Sequence, residues 1–222
     1  MKTRRKSFYT ILLVVGGILW GACSKDEPDT LWYGVKYCEP VGATRVYTDG
    51  GRLITDEAAR KNFLESYHPS GTNVSKQFME FENSDFYAMA LLLKNGEIIQ
   101  CAGIDVIGHE KSEEAEIIRT TVKNEASAFD KRFFDSGVLK YDFYRPEEDG
   151  RQYYHMQYVI HKQKKRFEMS LISVKSVRWN EQEQKMESFV DFAYNELNEE
   201  FLSTLSCRDT LAVREYKIIL AR

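Results

Sequence analysis

The sequence predicts a mainly β domain of the α+β kind: an antiparallel meander closed as a barrel or a sandwich, with two short amphipathic helices. Three observations predict it. Beyond residue 30 most apolar segments alternate with period two, as half-buried strands do. Tight-turn residues separate them, at Asp49-Gly50-Gly51, Asn95-Gly96 and Asp149-Gly150. The segments follow one another closely enough for neighbours to pair, and closure of such a meander removes its exposed edges.

In chain order, Leu31 to Tyr37 reads as the first strand. Thr44 to Thr48 and Arg52 to Ile54 form a hairpin across Asp49-Gly50-Gly51. Thr55 is placed to cap a helix whose first turn holds Asp56 and Glu57, where acid favours the helix dipole. Ala59, Phe63 and Tyr67 form its apolar stripe, with Leu64 alongside, and His68-Pro69-Ser70-Gly71 ends it. Gln77 to Glu82 alternates, and Phe86 to Leu93 is apolar on both faces, as a central strand is. After the turn at Asn95-Gly96, one strand is expected over Glu97 to Ile107 and another over Glu113 to Lys123.

Asn124 to Gly137 is a loop or a short helix around Phe129, Phe133 and Phe134. Val138 to Arg145 and Arg151 to Lys162 are expected as a second hairpin. In Arg166 to Trp179 the residues Phe167, Met169 and Leu171 hold one face, then Ile172 and Val174 take the other, the pattern of a bulge or bend that swaps faces. Ser188 to Tyr194 is a strand. Asn195 is placed to cap a helix with Leu197, Phe201 and Leu205 on its stripe, and Arg208 to Leu220 is the last strand.

The first 30 residues obey different rules. Lys2, Arg4, Arg5 and Lys6 precede the apolar run Phe8 to Trp20, and small residues Gly21 and Ala22 lead into Cys23. Charge, a short apolar core and small residues in that order make an export signal, and the run is too short for a bilayer span of about 20 residues. Leu19-Trp20-Gly21-Ala22-Cys23 resembles a bacterial lipobox, with Trp20 where leucine is usual. The resemblance implies a signal peptide over residues 1–22, lipidation of Cys23, and a membrane partner through that lipid. Ser24-Lys25-Asp26-Glu27-Pro28-Asp29 is similar to the acidic tether of Bacteroidota-type surface lipoproteins, which implies the outer membrane and display at the cell surface. Residues 23–30 are thus read as anchor and tether, and residues 31–222 as one β-rich domain.

Without the leader's four basic residues, 27 Lys and Arg stand against 34 Asp and Glu, a net charge near −7. Such a sum argues against nucleic acid and anionic lipid as partners. Three thiols remain besides Cys23. Cys101 lies in an apolar run and reads as buried, and Cys38 and Cys207 lie near segment ends where a disulfide would need their Cα atoms within about 7 Å.

No constellation of catalytic residues emerges. There is no Gly-x-Ser-x-Gly elbow and no phosphate-cradling glycine loop. His155 and His161 share a strand face but stand about 20 Å apart, too far to ligate one ion. No metal and no cofactor is expected. Acidic residues crowd the Glu147 to Gly150 turn without the spacing of a calcium loop. The one surface with a recognition character is Tyr153, His155 and Gln157, opposite Tyr154, Met156 and Tyr158 on the same strand. Flat rings beside hydrogen-bonding groups suit a glycan, peptide or lipid ligand. The expectation is a non-catalytic binding module, with a lipocalin-like carrier of a small hydrophobe as the alternative and an envelope hydrolase third.

Overall fold

The computed structural model describes residues 29–66, 80–112 and 114–222. Cys23, Tyr67 and Phe78 lie outside the described residues, and with them the leader, the expected helix stop His68-Pro69-Ser70-Gly71 and half of the expected strand Gln77 to Glu82.

The strands are β1 (Thr30–Pro40), β2 (Arg45–Thr48), β3 (Arg52–Leu53), β4 (Ala90–Lys94), β5 (Glu97–Cys101), β6 (Ile104–Lys111), β7 (Glu116–Glu125), β8 (Glu147–Glu148), β9 (Arg151–Lys162), β10 (Arg166–Asn180), β11 (Lys185–Ala193) and β12 (Thr210–Ala221). Helix α1 spans Glu57–Glu65 and α2 Ala128–Phe134, with 3-10 helices η1 at Asn83–Phe86 and η2 at Glu199–Thr204. The chain is mainly β, as expected. Strands β1, β4, β5, β6, β7, β9, β10 and β12 each pair antiparallel with the next, and β12 pairs back onto β1, so eight strands close a barrel.

The two longest neighbours, β10 and β12, form the spine of the molecule. Their register runs without a slip from Arg166 opposite Ala221 to Val177 opposite Thr210. On β10 the outer edge pairs with β9 at Phe167–Met169 and then with β11 from Ile172 onward. On β12 the outer edge pairs with β1 at Tyr216–Ala221 and with β2 at Thr210–Val213. The spine therefore belongs to the barrel at one end and to a second, open sheet at the other.

This corrects the bulge expected near Leu171. Phe167, Met169 and Leu171 face the barrel interior, where they meet Tyr216, Ile218 and Leu220. Ile172 and Val174 face the opposite side and pack with Leu211, Val213, Phe133, Phe189 and Phe201. The strand stays regular. The apolar side changes because each half of the spine is covered from a different side. On the barrel-facing side beyond the mouth, Val46 and Ala212 are covered by Phe63 and Leu64 of α1.

The barrel interior is filled with side chains. Leu91, Ile98, Cys101, Ile118, Ile160, Met169, Ile218 and Leu220 are at most 2% exposed.

Local chemistry accounts for the departures from the expected elements. The strand expected over Glu97 to Ile107 breaks at Ala102 (φ 52°) and Gly103 (φ 75°), two left-handed residues that make a second hairpin like the one at Asn95 (φ 54°) and Gly96 (φ 83°). Asp56, not Thr55, caps α1, its carboxylate accepting from Ala59 N–H at 2.7 Å. The Ala59 stripe is not buried: Ala59 is exposed, and Phe63 and Leu64 are half-buried. Phe86 falls in η1, so β4 begins only at Ala90. Asn198, not Asn195, caps the following helix, which is 3-10. Val138 to Arg145 is not a strand. It crosses the outside of the barrel as a strap, held by a bridge between Leu139 and Leu197 and by the Tyr141 amide donating to the Asn195 side chain. Gly51 (φ 84°) brings the β2–β3 turn onto η2, where a Cβ would stand 3.0 Å from that of Leu202.

Candidate functional site

Strand alternation places Tyr153, His155 and Gln157 on the outside of β9, and Met156 and Tyr158 inward, as the sequence predicts. The three outer residues are not a free surface. Gln157 is 1% exposed, and its Oε1 accepts from Arg119 Nε at 3.2 Å. The imidazole of His155 lies under the Tyr144 ring, centroids 5.7 Å apart, and its Nδ1 is 2.9 Å from the Thr120 carbonyl. That carbonyl sits where β7 carries two extra residues against β9, between Arg119 and Lys123, so the imidazole bonds a backbone group inside the bulge. Tyr153 is half-buried beneath the Lys123 ammonium, 4.5 Å from its ring centre. The strap thus supplies, with Tyr144, the ring that a ligand would have brought. Strand periodicity carries no information about a segment that crosses the sheet from outside.

A concavity of about 710 Å³ opens on the same outer wall, across β9, β10 and β12 and under the segment 195–200. Its floor is polar because the outer side of the spine is polar over the barrel: Glu168 and Ser170 on β10, Glu215 and Lys217 on β12. None of these was picked out by sequence reading. Their partners are up to 170 residues away, and no local motif joins them.

Glu196 ties the cleft together. One of its oxygens faces His161 Nε2 at 2.5 Å and Ser170 Oγ at 3.1 Å, and the other accepts from Lys140 Nζ at 3.1 Å. The hydrogen bond from His161, and then Lys140, hold its carboxyl down at about 2 against the opposing effect of burial. His161 Nδ1 lies 2.8 Å from the Glu114 carbonyl. Both ring nitrogens therefore face acceptors, which only the doubly protonated imidazolium satisfies. The Glu196 hydrogen bond correspondingly raises the His161 pKa. Glu168 is paired in the same cleft with Arg166 at 2.6 Å and Lys217 at 3.2 Å.

The wiring decides the chemistry. Serine, carboxylate and histidine are all present, but the carboxylate is in the middle. A nucleophilic serine needs the imidazole beside its hydroxyl, with the carboxylate behind the imidazole. Here Ser170 donates to Glu196, whose lowered pKa makes it a poor base for the hydroxyl. The group serves as a clamp joining β9, β10, the β6–β7 turn and the 195–200 segment.

The clamp has a defined pH signature. His161 is raised, so its contribution is complete below the unfolded value near 6.5 and is lost as pH rises through the folded value. Glu196 is lowered from 4.5 to about 2, so its contribution is complete above about 4.5 and is lost as pH falls toward 2. The pair holds best between about pH 4.5 and 6.5. His161→Gln is expected to lower the urea midpoint most at pH 5.5 and progressively less toward pH 9. An equal loss at every pH would show that the imidazolium is not the contributing form.

Cys101 and Cys38 are not poised to react. Burial pushes Cys101 up to about 12, and its sulfur lies 3.9 Å from that of Met89. Cys38 is raised to about 11 by burial, with Asp85 adding to it, and Cys38 and Cys207 are not bonded to each other. Burial also raises Asp191 to about 6, with Asp130 contributing. Among the described residues no three His, Cys, Asp or Glu side chains converge as metal ligands. No family model, no curated protein and no solved structure matches the chain.

Proposed function

We propose that this chain is an outer-membrane lipoprotein, anchored through Cys23 and displayed at the cell surface, whose barrel is a non-catalytic interaction module. The outer cleft receives a polar partner, a glycan or a peptide. The observation that carries the reading is the contrast between the two sides of the barrel wall. The interior is closed by Leu91, Ile118, Ile160 and their neighbours, whereas the outer wall holds a concavity of ligand size lined by both charge signs. A carrier of a small hydrophobe shares the closed eight-stranded barrel, but here side chains occupy the place its ligand would take.

Glu200 and Lys217 are among the exposed members of the cleft, and a partner can meet Glu200 and compete with Glu168 for Lys217 without dismantling the clamp on Glu196. The test has two readouts on one set of cells. Cys23→Ala is expected to abolish fatty-acid labelling and move the protein from the membrane to the soluble fraction. Unchanged labelling and fractionation would overturn the anchor. The acylated full chain, arrayed against envelope glycans and peptides, is expected to retain a ligand whose affinity falls at least tenfold in Lys217→Ala. A ligand indifferent to Lys217→Ala but lost in Tyr153→Ala would move the site to the Tyr153, His155 and Gln157 face.

A further inference from the structure

The charge of this domain is unevenly distributed, and its two ends differ. The β4–β5 turn, the β9–β10 turn and the start of β1 lie at one end of the barrel, with Lys94 opposite Thr30 and Arg166 opposite Ala221. Lys94, Lys162, Lys164 and Lys165 are exposed there, and among the described residues none is within ion-pair distance of a carboxylate. Arg222 lies at the same end, over the Tyr33 ring. Among the described residues the acids near these turns are Asp29 and Glu97 beside the first, and Glu114, Glu116 and Glu168 beside the second; Glu114 is taken by Lys140, Glu116 by His109, and Glu168 by Arg166 and Lys217. At the far end of β10 the next turn carries Glu181 and Glu183, the latter paired with Lys185. Beside the lysines stands Trp32 on the outer face of β1, 55% exposed. Its strand neighbour Gly34 pairs with Ala90 on one side and Ala221 on the other, so the wall next to the indole is low and uncrowded.

We propose that this end of the barrel rests on an anionic lipid surface, with Trp32 at the headgroup level and Lys94, Lys162, Lys164 and Lys165 against the phosphates. The proposal rests on the reading of Cys23 as the lipid anchor. The tether leaves from this end: the Asp29 carbonyl accepts from Asn95 N–H in the β4–β5 turn. Seven residue steps separate Cys23 from Thr30, about 25 Å at full extension. A lipid on Cys23 would therefore hold this end, and no other, within reach of the bilayer. Unpaired lysines are drawn to anionic headgroups, and an exposed indole suits the interface. The acidic remainder of the domain is repelled by the same surface, so the net charge near −5 of residues 31–222 orients the barrel. A net charge argues only about the average, and here the average hides a basic end.

The experiment uses the acylated full chain reconstituted in vesicles whose lipid chains are brominated, which quench nearby indoles. Two compositions are compared, phosphatidylglycerol mixed with phosphatidylcholine and phosphatidylcholine alone. Emission from Trp32, taken as the difference between the native protein and Trp32→Phe, is expected to fall at least twofold in the anionic vesicles. It is expected to recover in 1 M salt and in the Lys164→Glu, Lys165→Glu double variant, with fatty-acid labelling unchanged. Quenching that ignores salt and charge reversal, or no quenching in acylated protein, overturns the proposal. If labelling is absent, the anchor reading has failed, and the basic end is then judged by co-sedimentation of the unacylated chain with the same anionic vesicles. Salt-sensitive binding lost in the double variant sustains it, and no binding overturns it.

Discussion

Phe201→Ala is expected to destabilise the domain by about 3–5 kcal/mol, the largest effect of any single change considered for this chain. Phe201 is 4% exposed in the outer core. There it packs beneath the Arg178 guanidinium, 5.0 Å from its ring centre, and against Gly137, whose Cβ position would be 3.4 Å from the ring. It joins η2 to the half of the spine outside the barrel, alongside Ile172, Val174 and Leu211. The surrounding residues come from η2, the spine and β11, so the site cannot collapse around a smaller side chain without moving one of them. Urea unfolding of the variant measures the loss. A value under about 1 kcal/mol, the scale of a surface change, would mean that the second core does not hold the spine. Phe63 is only half-buried on α1, and its removal is expected to cost less.

Lys175→Met is expected to cost about 3 kcal/mol, for a different reason. Lys175 is 2% exposed on the barrel-facing side of β10, beyond the mouth. Burial lowers its pKa, so its position is unfavourable for a lysine unless the ammonium is well bonded. It donates to the carbonyl oxygens of Phe63 at 2.7 Å and Ser66 at 2.6 Å, and to Ser66 Oγ at 3.0 Å. These carbonyls are at the C-terminal end of α1, where a helix leaves acceptors unpaired and its dipole favours a cation. One side chain thus fastens the helix to the sheet. Methionine preserves the stem and removes the bonds, which leaves the helix end to find water or detach. The check is urea unfolding together with hydrogen exchange of the α1 amides. A loss below about 0.5 kcal/mol with unchanged exchange would mean the helix is held by Phe63 and Leu64 alone.

Both effects concern features that the sequence shows only in part. Alternation in Arg151 to Lys162 correctly separates Met156 and Tyr158 from Tyr153, His155 and Gln157, because the pleat of a strand imposes that division whatever surrounds it. Asn95-Gly96 and Asp49-Gly50-Gly51 mark their hairpins because only such residues take left-handed backbone cheaply. Ala102-Gly103 hides its turn, since alanine rarely takes that conformation and the apolar run continues on either side.

What the sequence by itself determined is the β class, the turns at Asp49-Gly50-Gly51, Asn95-Gly96 and Asp149-Gly150, most strand positions and the two faces of β9. These follow from local backbone preference and from the period of apolar residues, both carried within a few positions. Only the tertiary structure decided what covers each face. Phe167 and Ile172 lie on opposite faces of a regular strand because the barrel covers one half of the spine and η2 with α2 the other. His155 is covered because Tyr144 of the strap, eleven residues upstream, lies over it. Glu196, His161 and Lys140 meet though 35 and 56 residues separate Glu196 from the other two. Charge attraction and burial act through space, and chain distance holds no record of them until the chain has folded.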